Sequence, residues 1–261
     1  MNILEEIIET KKEIIKKKKR KFPLEEFKKQ IAFNEKKYSI YEKLKNNFGI
    51  IGEIKRGSPS AGIIDKNINF KKVAKIYEIC GISGISVLTC EPYFYGSIDD
   101  LKIVKETVKL PVLMKDFIID EYQIYEGKFF GADFILLITR ILDNEKIKNF
   151  IKLCEELNLE ILIEVHNYAD LKRIFELVEN WENKMLGINN RDLDTLEVNI
   201  KNTINLIKFI EIDKIIVISE SGIKKKEDVE ILKNCGVRGI LIGEGFLKSK
   251  NLKEKIEELK N

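Results

Sequence analysis

The chain has 261 residues, of which 44% are hydrophobic and 34% are charged, and its formal net charge is +3. This length allows one large domain or two small ones with a substantial core, and the composition is ordinary for a soluble protein. The slight basic excess suits an anionic small molecule but does not by itself indicate nucleic-acid binding.

The four cysteines are widely separated, and no Cys-x-x-Cys pair or nearby cluster of histidines accompanies them. This spacing argues against a zinc site and against a disulfide framework, so we expect a reducing, cytoplasmic environment. The first residues do not resemble a signal peptide, and no apolar run approaches the length of a membrane span. We therefore expect no metal and no membrane partner.

Residues 1–45 are dense in Lys, Glu, Ile and Leu, with apolar residues at helical spacing. The pattern predicts two amphipathic helices that are separated near Pro23. The basic run at residues 16–21 raises the alternative of an RNA-binding patch. A solvated helix end in a lysine-rich sequence explains the run better, so we expect no nucleic-acid partner.

From residue 48 onward, short runs rich in β-branched residues alternate with helical stretches. The predicted strands are Phe48–Ile51, Gly84–Leu88, Pro111–Met114, Asp133–Leu137, Glu160–Ile163, Met185–Ile188, Ile215–Ile218 and Gly239–Ile242. The predicted helices include residues 70–80, 99–108, 144–157, 168–180, 200–210, 225–234 and 251–260.

Such an alternation is typical of βαβ units in a parallel sheet, and eight units favour an α/β fold of the (β/α)₈ TIM-barrel type. We expect a single domain over residues 1–261, in which residues 1–45 form an N-terminal helical extension and residues 46–261 form the barrel. The alternative is a doubly wound open sheet, but the Gly-rich turn that usually follows its first strand is missing.

The segment after the first predicted strand combines an acid, a base and a turn-rich loop with two serines. Glu53 and Lys55 are two residues apart, so they share one face of a strand. From this segment alone, a functional site and a solvated ion pair on an edge strand are equally acceptable interpretations.

Charged and polar residues and glycines recur just after the predicted strands, where TIM barrels carry their active sites. They are Glu53, Lys55, Thr89–Pro92, Lys115, Asp116, Thr139, Arg140, Glu164, Asn189, Arg191, Ser219–Gly222, Gly243 and Glu244. Structural ion pairs have no reason to gather at one end of a barrel, so this pattern predicts an active site. Ser221 and Gly222 follow strand seven, and Gly243 and Glu244 follow strand eight. Backbone N–H groups at these two places commonly bind phosphate, which predicts a sugar-phosphate substrate. Tight turns are the alternative explanation of those glycines, but their occurrence after both strands favours phosphate binding.

Acid–base chemistry in this chain must rest on lysine and glutamate, because His166 is the only histidine. We expect His166 to be a packing or loop residue. Lys115 is expected in the mouth of the barrel, where burial and neighbouring cations lower the pKa of a lysine and suit it to act as a general acid. A structural ion pair and a Schiff-base lysine remain alternatives for Lys115.

Six segments, taken together and in order, resemble the indole-3-glycerol-phosphate synthase family. They are Glu53–Ser60, Leu88–Thr89 with Tyr93–Ser97, Pro111–Asp120, Glu164–His166, Gly187–Leu193 and Ser219–Gly222. The resemblance covers almost the whole chain and includes the helical N-terminal extension. It implies conversion of 1-(2-carboxyphenylamino)-1-deoxyribulose 5-phosphate to indole-3-glycerol phosphate, carbon dioxide and water in tryptophan biosynthesis. It also implies that no metal or organic cofactor takes part.

The resemblance further implies roles for individual residues. Lys115 would be the general acid that protonates the substrate carbonyl. The residues implied to assist ring closure and dehydration or to orient the substrate are Glu164, Glu53, Lys55 and Asn189. The residues implied to hold anionic groups or to border the aromatic ring are Ser58, Arg191, Ser221, Gly222, Gly243, Glu244, Phe94 and Phe117. Glu244 departs from the small hydroxyl residue that is common there, and a carboxylate facing the phosphate would weaken its binding.

Three other functions are weighed against this one. A barrel like phosphoribosylanthranilate isomerase would use a cysteine near the end of the first strand, whereas Cys90 follows the second. A binding protein on an inactive barrel would not need the lysines and glutamates. A nucleic-acid-binding protein would depend on the basic run. We expect a monomer or a weak homodimer.

Overall fold

The computed structural model describes residues 3–31 and 38–260. Within them, eight parallel strands close into a barrel in which each strand pairs with its neighbours in the chain and the last pairs with the first. We number the barrel strands β1 to β8: Gly49–Ile54, Gly84–Leu88, Val112–Lys115, Phe134–Ile138, Glu160–Val165, Lys184–Asn189, Ile216–Glu220 and Gly239–Ile242. The predicted TIM barrel is confirmed.

The described residues contain twelve α-helices. We number them α1 to α12: Ile3–Lys21, Leu24–Gln30, Ile40–Lys45, Phe70–Ile79, Ile98–Thr107, Glu121–Phe129, Asn144–Glu156, Tyr168–Leu177, Lys201–Leu206, Lys226–Asn234, Glu244–Leu247 and Leu252–Lys260. A short hairpin, Gly57–Ser58 paired with Gly62–Ile63, follows β1. The predictions for the N-terminal extension and for the whole-chain domain include residues 1–2, 32–37 and 261, which lie outside the described residues.

The strands are buried on both faces because helices cover the outside of the barrel and side chains fill the inside. Large apolar side chains that alternate along the strands, such as Ile51, Leu113, Phe134 and Leu162, belong to the inner cluster. A second, larger cluster lies between the strands and the surrounding helices. The barrel interior is therefore a packed core, and the chemistry is confined to its ends.

Helix α3 closes the amino end of the barrel. Its side chains Ile40 and Leu44 are fully buried, and Leu44 packs so closely on Gly49 that a Cβ there would overlap it. The backbone N–H groups of Ile40 and Tyr41 donate to Glu160 Oε2 at 2.9 Å each. The sequence pattern predicts only two helices in the extension. It misses α3 because six residues are too few to show a helical period.

Helices α2 and α6 pack on one another, which explains why α6 was absent from the predicted helices. The rings of Phe27 in α2 and Tyr122 in α6 are 5.2 Å apart in an edge-on arrangement. With the barrel on one side and the N-terminal helices on the other, α6 is buried on more than one face. It therefore lacks the polar face on which the recognition of a surface helix depends.

The basic run near the end of α1 faces the barrel in part. Lys18 Nζ is 3.1 Å from Glu126 Oε1, and Lys19 Nζ is 2.8 Å from Asp120 Oδ2. The run is still largely a solvated helix end, since the Lys18 and Lys19 side chains are 26% and 41% exposed, but the prediction did not include these two ion pairs. The two lysines are ion-paired because α1 lies across α6 and the loop before it.

Candidate active site

A cavity of about 810 Å³ lies at the carboxyl ends of the barrel strands. Its lining includes every residue for which the resemblance implies a role: Glu53, Lys55, Ser58, Phe94, Lys115, Phe117, Glu164, Asn189, Arg191, Ser221, Gly222, Gly243 and Glu244. Helix α1 contributes Ile3, Leu4 and Ile7 to the same cavity. The structure therefore brings the whole predicted set together, while the role of each member stays a prediction.

Strand periodicity explains why the polar side chains converge. Side chains alternate between the two faces of a strand, so inward apolar residues are followed two positions later by inward polar ones. Thus Leu162 of β5 lies in the inner cluster and Glu164 lines the cavity. In the same way Leu113 of β3 is followed by Lys115, which ends that strand. The barrel core positions these side chains at its rim.

Two lysines and two carboxylates meet at the centre of the site. Lys115 Nζ is 2.6 Å from Glu220 Oε2 and 3.7 Å from Glu53 Oε2. Lys55 Nζ is 2.5 Å from the other oxygen of Glu53. Because both carboxylates are at least 95% buried, these ion pairs are shielded from solvent and strongly coupled.

The predicted lowering of the Lys115 pKa was wrong. Burial alone would lower it, but the carboxylates of Glu220 and Glu53 outweigh burial and raise the pKa of Lys115 above its ordinary value. Glu164 adds to the same effect. Acidic neighbours therefore determine the charge of Lys115, which carries its proton at neutral pH and has one to donate.

Glu220 was noted only as part of the polar segment after strand seven, and no role was predicted for it. Its side chain is fully buried at the end of β7. Burial raises the pKa of Glu220 to about 7 even though Lys115 acts in the opposite direction. The signal in the sequence was an acid that continues the inward alternation of Ile216 and Ile218, two members of the inner cluster.

Glycines on neighbouring strands make room for the two central carboxylates. A Cβ on Gly187 would overlap Glu220 Oε1, and a Cβ on Gly243 would overlap the carboxyl group of Glu53. Burial raises the pKa of Glu53, but Lys55 and Lys115 lower it overall, so Glu53 is a carboxylate. These glycines are therefore required by close approach of side chains to the backbone.

The loops after β7 and β8, for which the sequence predicts phosphate binding, form one end of the cavity. Ser221 and Gly222 have positive φ angles of 67° and 82°, and α11 begins just after Gly243. Arg191 Nη2 lies 4.0 Å from Glu244 Oε2, and Lys248 Nζ lies 2.5 Å from the other oxygen of that carboxylate. The Glu244 side chain thus lies in the cavity wall between two cations, rather than facing outward.

The opposite wall of the cavity is apolar. The rings of Phe94 and Phe117 are 6.0 Å apart and tilted by 45°. Leu4 and Ile7 from α1 and Leu136 from β4 line the same space. One cavity therefore offers an apolar surface and a cluster of cations together.

Comparison with known proteins identifies the family. A family model described as indole-3-glycerol phosphate synthase matches residues 4–259. The chain belongs to the indole-3-glycerol phosphate synthase family. One relative of that name, from Acetivibrio thermocellus, is 43% identical over 262 residues, covering 99% of each chain. Another, from Caldanaerobacter subterraneus subsp. tengcongensis, is 46% identical over 94% of this chain and 93% of its own.

Solved structures support the fold alone. The chain superposes on 3-hexulose-6-phosphate synthase from Salmonella typhimurium with a TM-score of 0.62 at 13% identity, covering 81% of this chain and 96% of that one. It superposes on 3-keto-L-gulonate-6-phosphate decarboxylase from Vibrio cholerae with a TM-score of 0.60 at 12% identity, covering 82% and 96%. At such low identity these matches add nothing about the reaction.

The predicted family and function are confirmed. As a member of the indole-3-glycerol phosphate synthase family, the protein is a decarboxylating lyase of tryptophan biosynthesis. Within residues 3–31 and 38–260, no helix has both the length and the apolar character needed to cross a membrane. No group of three or more acidic, histidine or cysteine side chains in the same residues is placed to hold a metal ion.

Proposed function

We propose that the cavity at the carboxyl end of the barrel is the active site for ring closure of 1-(2-carboxyphenylamino)-1-deoxyribulose 5-phosphate. The observation that supports this site is that one cavity has cationic side chains at one end and apolar side chains at the other. The substrate phosphate binds Ser221, Gly222 and Gly243 near Arg191, and the substrate ring lies against Phe94 and Phe117. An anion and an aromatic ring on one molecule require such a divided surface.

Lys115 is the proton donor of the first step. The ring carbon that bears the carboxylate attacks the substrate carbonyl carbon, forming a carbon–carbon bond, while Lys115 passes its proton to the carbonyl oxygen. Loss of carbon dioxide then leaves its bonding electrons in the ring and restores aromaticity. Glu220, 2.6 Å from Lys115, holds the ammonium in place and stabilises its charge.

Dehydration completes the indole. The hydroxyl group made in the first step leaves as water, which requires one proton for the oxygen and removal of another from the substrate. Glu164 and Glu53 are carboxylates at the cavity wall and serve this step, and Lys55 and Asn189 orient the substrate. Because Lys55 is 2.5 Å from Glu53, these two groups act as a pair.

The protein works in the cytoplasm as a monomer or a weak homodimer, in which residues 1–45 form an extension of a single barrel domain spanning residues 1–261.

The test of these assignments is direct. Purified protein is incubated with the substrate, and formation of the indole product is followed by its fluorescence, in wild type and in Glu220→Gln. We expect turnover in wild type and a loss in the variant, because Lys115 then loses its nearest carboxylate. Wild-type turnover in Glu220→Gln would remove Glu220 from the proposed site, and a borohydride-trapped adduct on Lys115 would favour the Schiff-base alternative.

A further inference from the structure

The imidazole of His166 lies between two carboxylates. His166 directly follows β5, two residues after Glu164. Its Nε2 is 3.2 Å from Glu164 Oε1, and its Nδ1 is 3.8 Å from Asp170 Oδ2 in the first turn of α8. A packing or loop role, which the sequence suggests, does not account for a ring with an acid beside each nitrogen.

The ring is closed off from solvent. Its side chain is 3% exposed, and in the described part of the chain neither ring nitrogen has a hydrogen-bond partner of good geometry. The group nearest to each ring nitrogen is a carboxylate, which accepts hydrogen bonds and cannot donate them, so a neutral imidazole would direct a lone pair at a negative charge. An imidazolium instead gains attraction from the carboxylates on both sides.

Among the described residues, the charged groups that act most strongly on the ring are acidic. They are Glu164 on β5, Asp170 on α8 and Glu220 on β7. Burial lowers the pKa of His166, but Glu164 and the other carboxylates outweigh it and raise that pKa above its ordinary value. In return, burial raises the pKa of Glu164, but His166 and then Lys115 lower it overall.

The backbone of His166 is held on both sides. Its N–H donates to Asp170 Oδ2 at 3.0 Å, and its carbonyl oxygen accepts from Asn202 Nδ2 at 2.9 Å. The same Asn202 nitrogen donates to the carbonyl oxygen of Asn189 at 2.9 Å. The loop after β5 is therefore tied to the end of β6, so the ring has a fixed place beside Glu164.

We propose that His166 is a positioning residue of the active site: as an imidazolium held between Glu164 and Asp170, it keeps the Glu164 carboxylate charged and directed into the cavity. Glu164 lines that cavity and is 2% exposed, so its charge needs a buried counterion. Lys115 is already paired with Glu220 and Glu53. The inference rests on the role proposed for Glu164, and the first test below reads the pairing without turnover.

A single histidine permits a direct titration. In protein without a histidine tag, the Cε1–H resonance of His166 is followed by NMR across the pH range. We expect a midpoint above the ordinary value of 6.5 in wild type and a lower midpoint in Glu164→Gln. Asp170→Asn should lower it less, because that carboxylate is farther from the ring. The matched control is Glu155→Gln, which removes a carboxylate that pairs with Lys184, and its midpoint should stay at the wild-type value.

A wild-type midpoint below 6.5, or one that Glu164→Gln does not move, would overturn the inference even if the enzyme is fully active. The second test is kinetic. His166→Gln should lower kcat by about 10²-fold, the scale of a misplaced catalytic group, with little change in KM. The alkaline fall of kcat/KM in wild type, which reports the free enzyme, should follow the NMR midpoint and vanish in this variant. An unchanged kcat and pH profile in folded His166→Gln would equally reject the role.

Discussion

Lys11 of α1 and Asp116, the residue after β3, form an ion pair of 2.8 Å in which both side chains are at least 96% buried. Asp116 also accepts a hydrogen bond from Thr89 Oγ1 at 2.9 Å and from the Phe117 N–H at 2.7 Å. Because Asp116 adjoins Lys115, this pair anchors the N-terminal helix directly to the wall of the active site.

Breaking this pair should destabilise the protein strongly. Lys11→Met leaves Asp116 buried without its cation, which typically costs about 3–5 kcal/mol. The free energy of unfolding, measured by urea denaturation, should fall by that order. The matched control is Lys12→Met, which removes an exposed lysine paired with Glu9 in the same helix and should cost less than about 1 kcal/mol. An equal decrease in the free energy of unfolding in the two variants would show that the buried pair contributes no more to stability than the exposed one.

Replacing the proposed acid should abolish most of the turnover. Lys115→Met keeps much of the stem but removes the proton donor, so kcat should fall by about 10²–10⁴-fold or more. KM should change less, because the phosphate loops and Arg191 remain. Lys152→Met, at a position whose side chain is 78% exposed, serves as the control and should keep wild-type kcat. Turnover of Lys115→Met within about tenfold of wild type would exclude Lys115 as the acid.

Stability should depend on pH through Glu220. Its pKa is raised from 4.5 to about 7, so the folded state holds a proton that the unfolded state has already lost. This contribution is complete below 4.5 and is lost as the pH rises through 7. Relative to Glu220→Gln, wild type should lose up to about 1.4 kcal/mol of unfolding free energy per pH unit in that window.

Urea denaturation at several pH values between these limits measures the difference in slope between the two proteins. Parallel curves for wild type and Glu220→Gln would mean that Glu220 has no raised pKa. Lys115 titrates well above this window. Because Glu220 also raises the pKa of His166, the slopes are compared well below 6.5, where the imidazole is protonated in both proteins.

Removing the negative charge of Glu244 should tighten phosphate binding. The carboxylate lies beside Arg191 and lines the cavity, so it repels an incoming phosphate and competes for the guanidinium. Glu244→Gln should lower the inhibition constant of inorganic phosphate several-fold, on the order of 1 kcal/mol for a part-exposed charge pair. Glu254→Gln, an exposed position in α12, is the control. A weaker affinity for phosphate in Glu244→Gln would mean that the carboxylate organises the site instead.

The sequence was sufficient for the barrel and for most of the site. Strand alternation and the repeat of strand and helix are local patterns, so β1 to β8 were placed correctly without any tertiary contact. The carboxyl ends of parallel strands meet at one rim, so residues as distant as Glu53 and Gly243 were predicted to share a site. Helix α6 was not predicted because α2 covers its outer face. The local sequence pattern does not show that this face is buried.

The charges of the site were decided by the tertiary structure alone. Lys115 was expected among cations, but Glu53, Glu164 and Glu220 come from three other strands and surround it with carboxylates. The electrostatic energy of an ion depends on which groups lie within a few ångströms of it and on how well water is excluded. The order of residues along the chain determines which side chains reach the rim of the barrel. Closure of the barrel then sets the distances between them, so only the folded structure determines which of these groups are protonated.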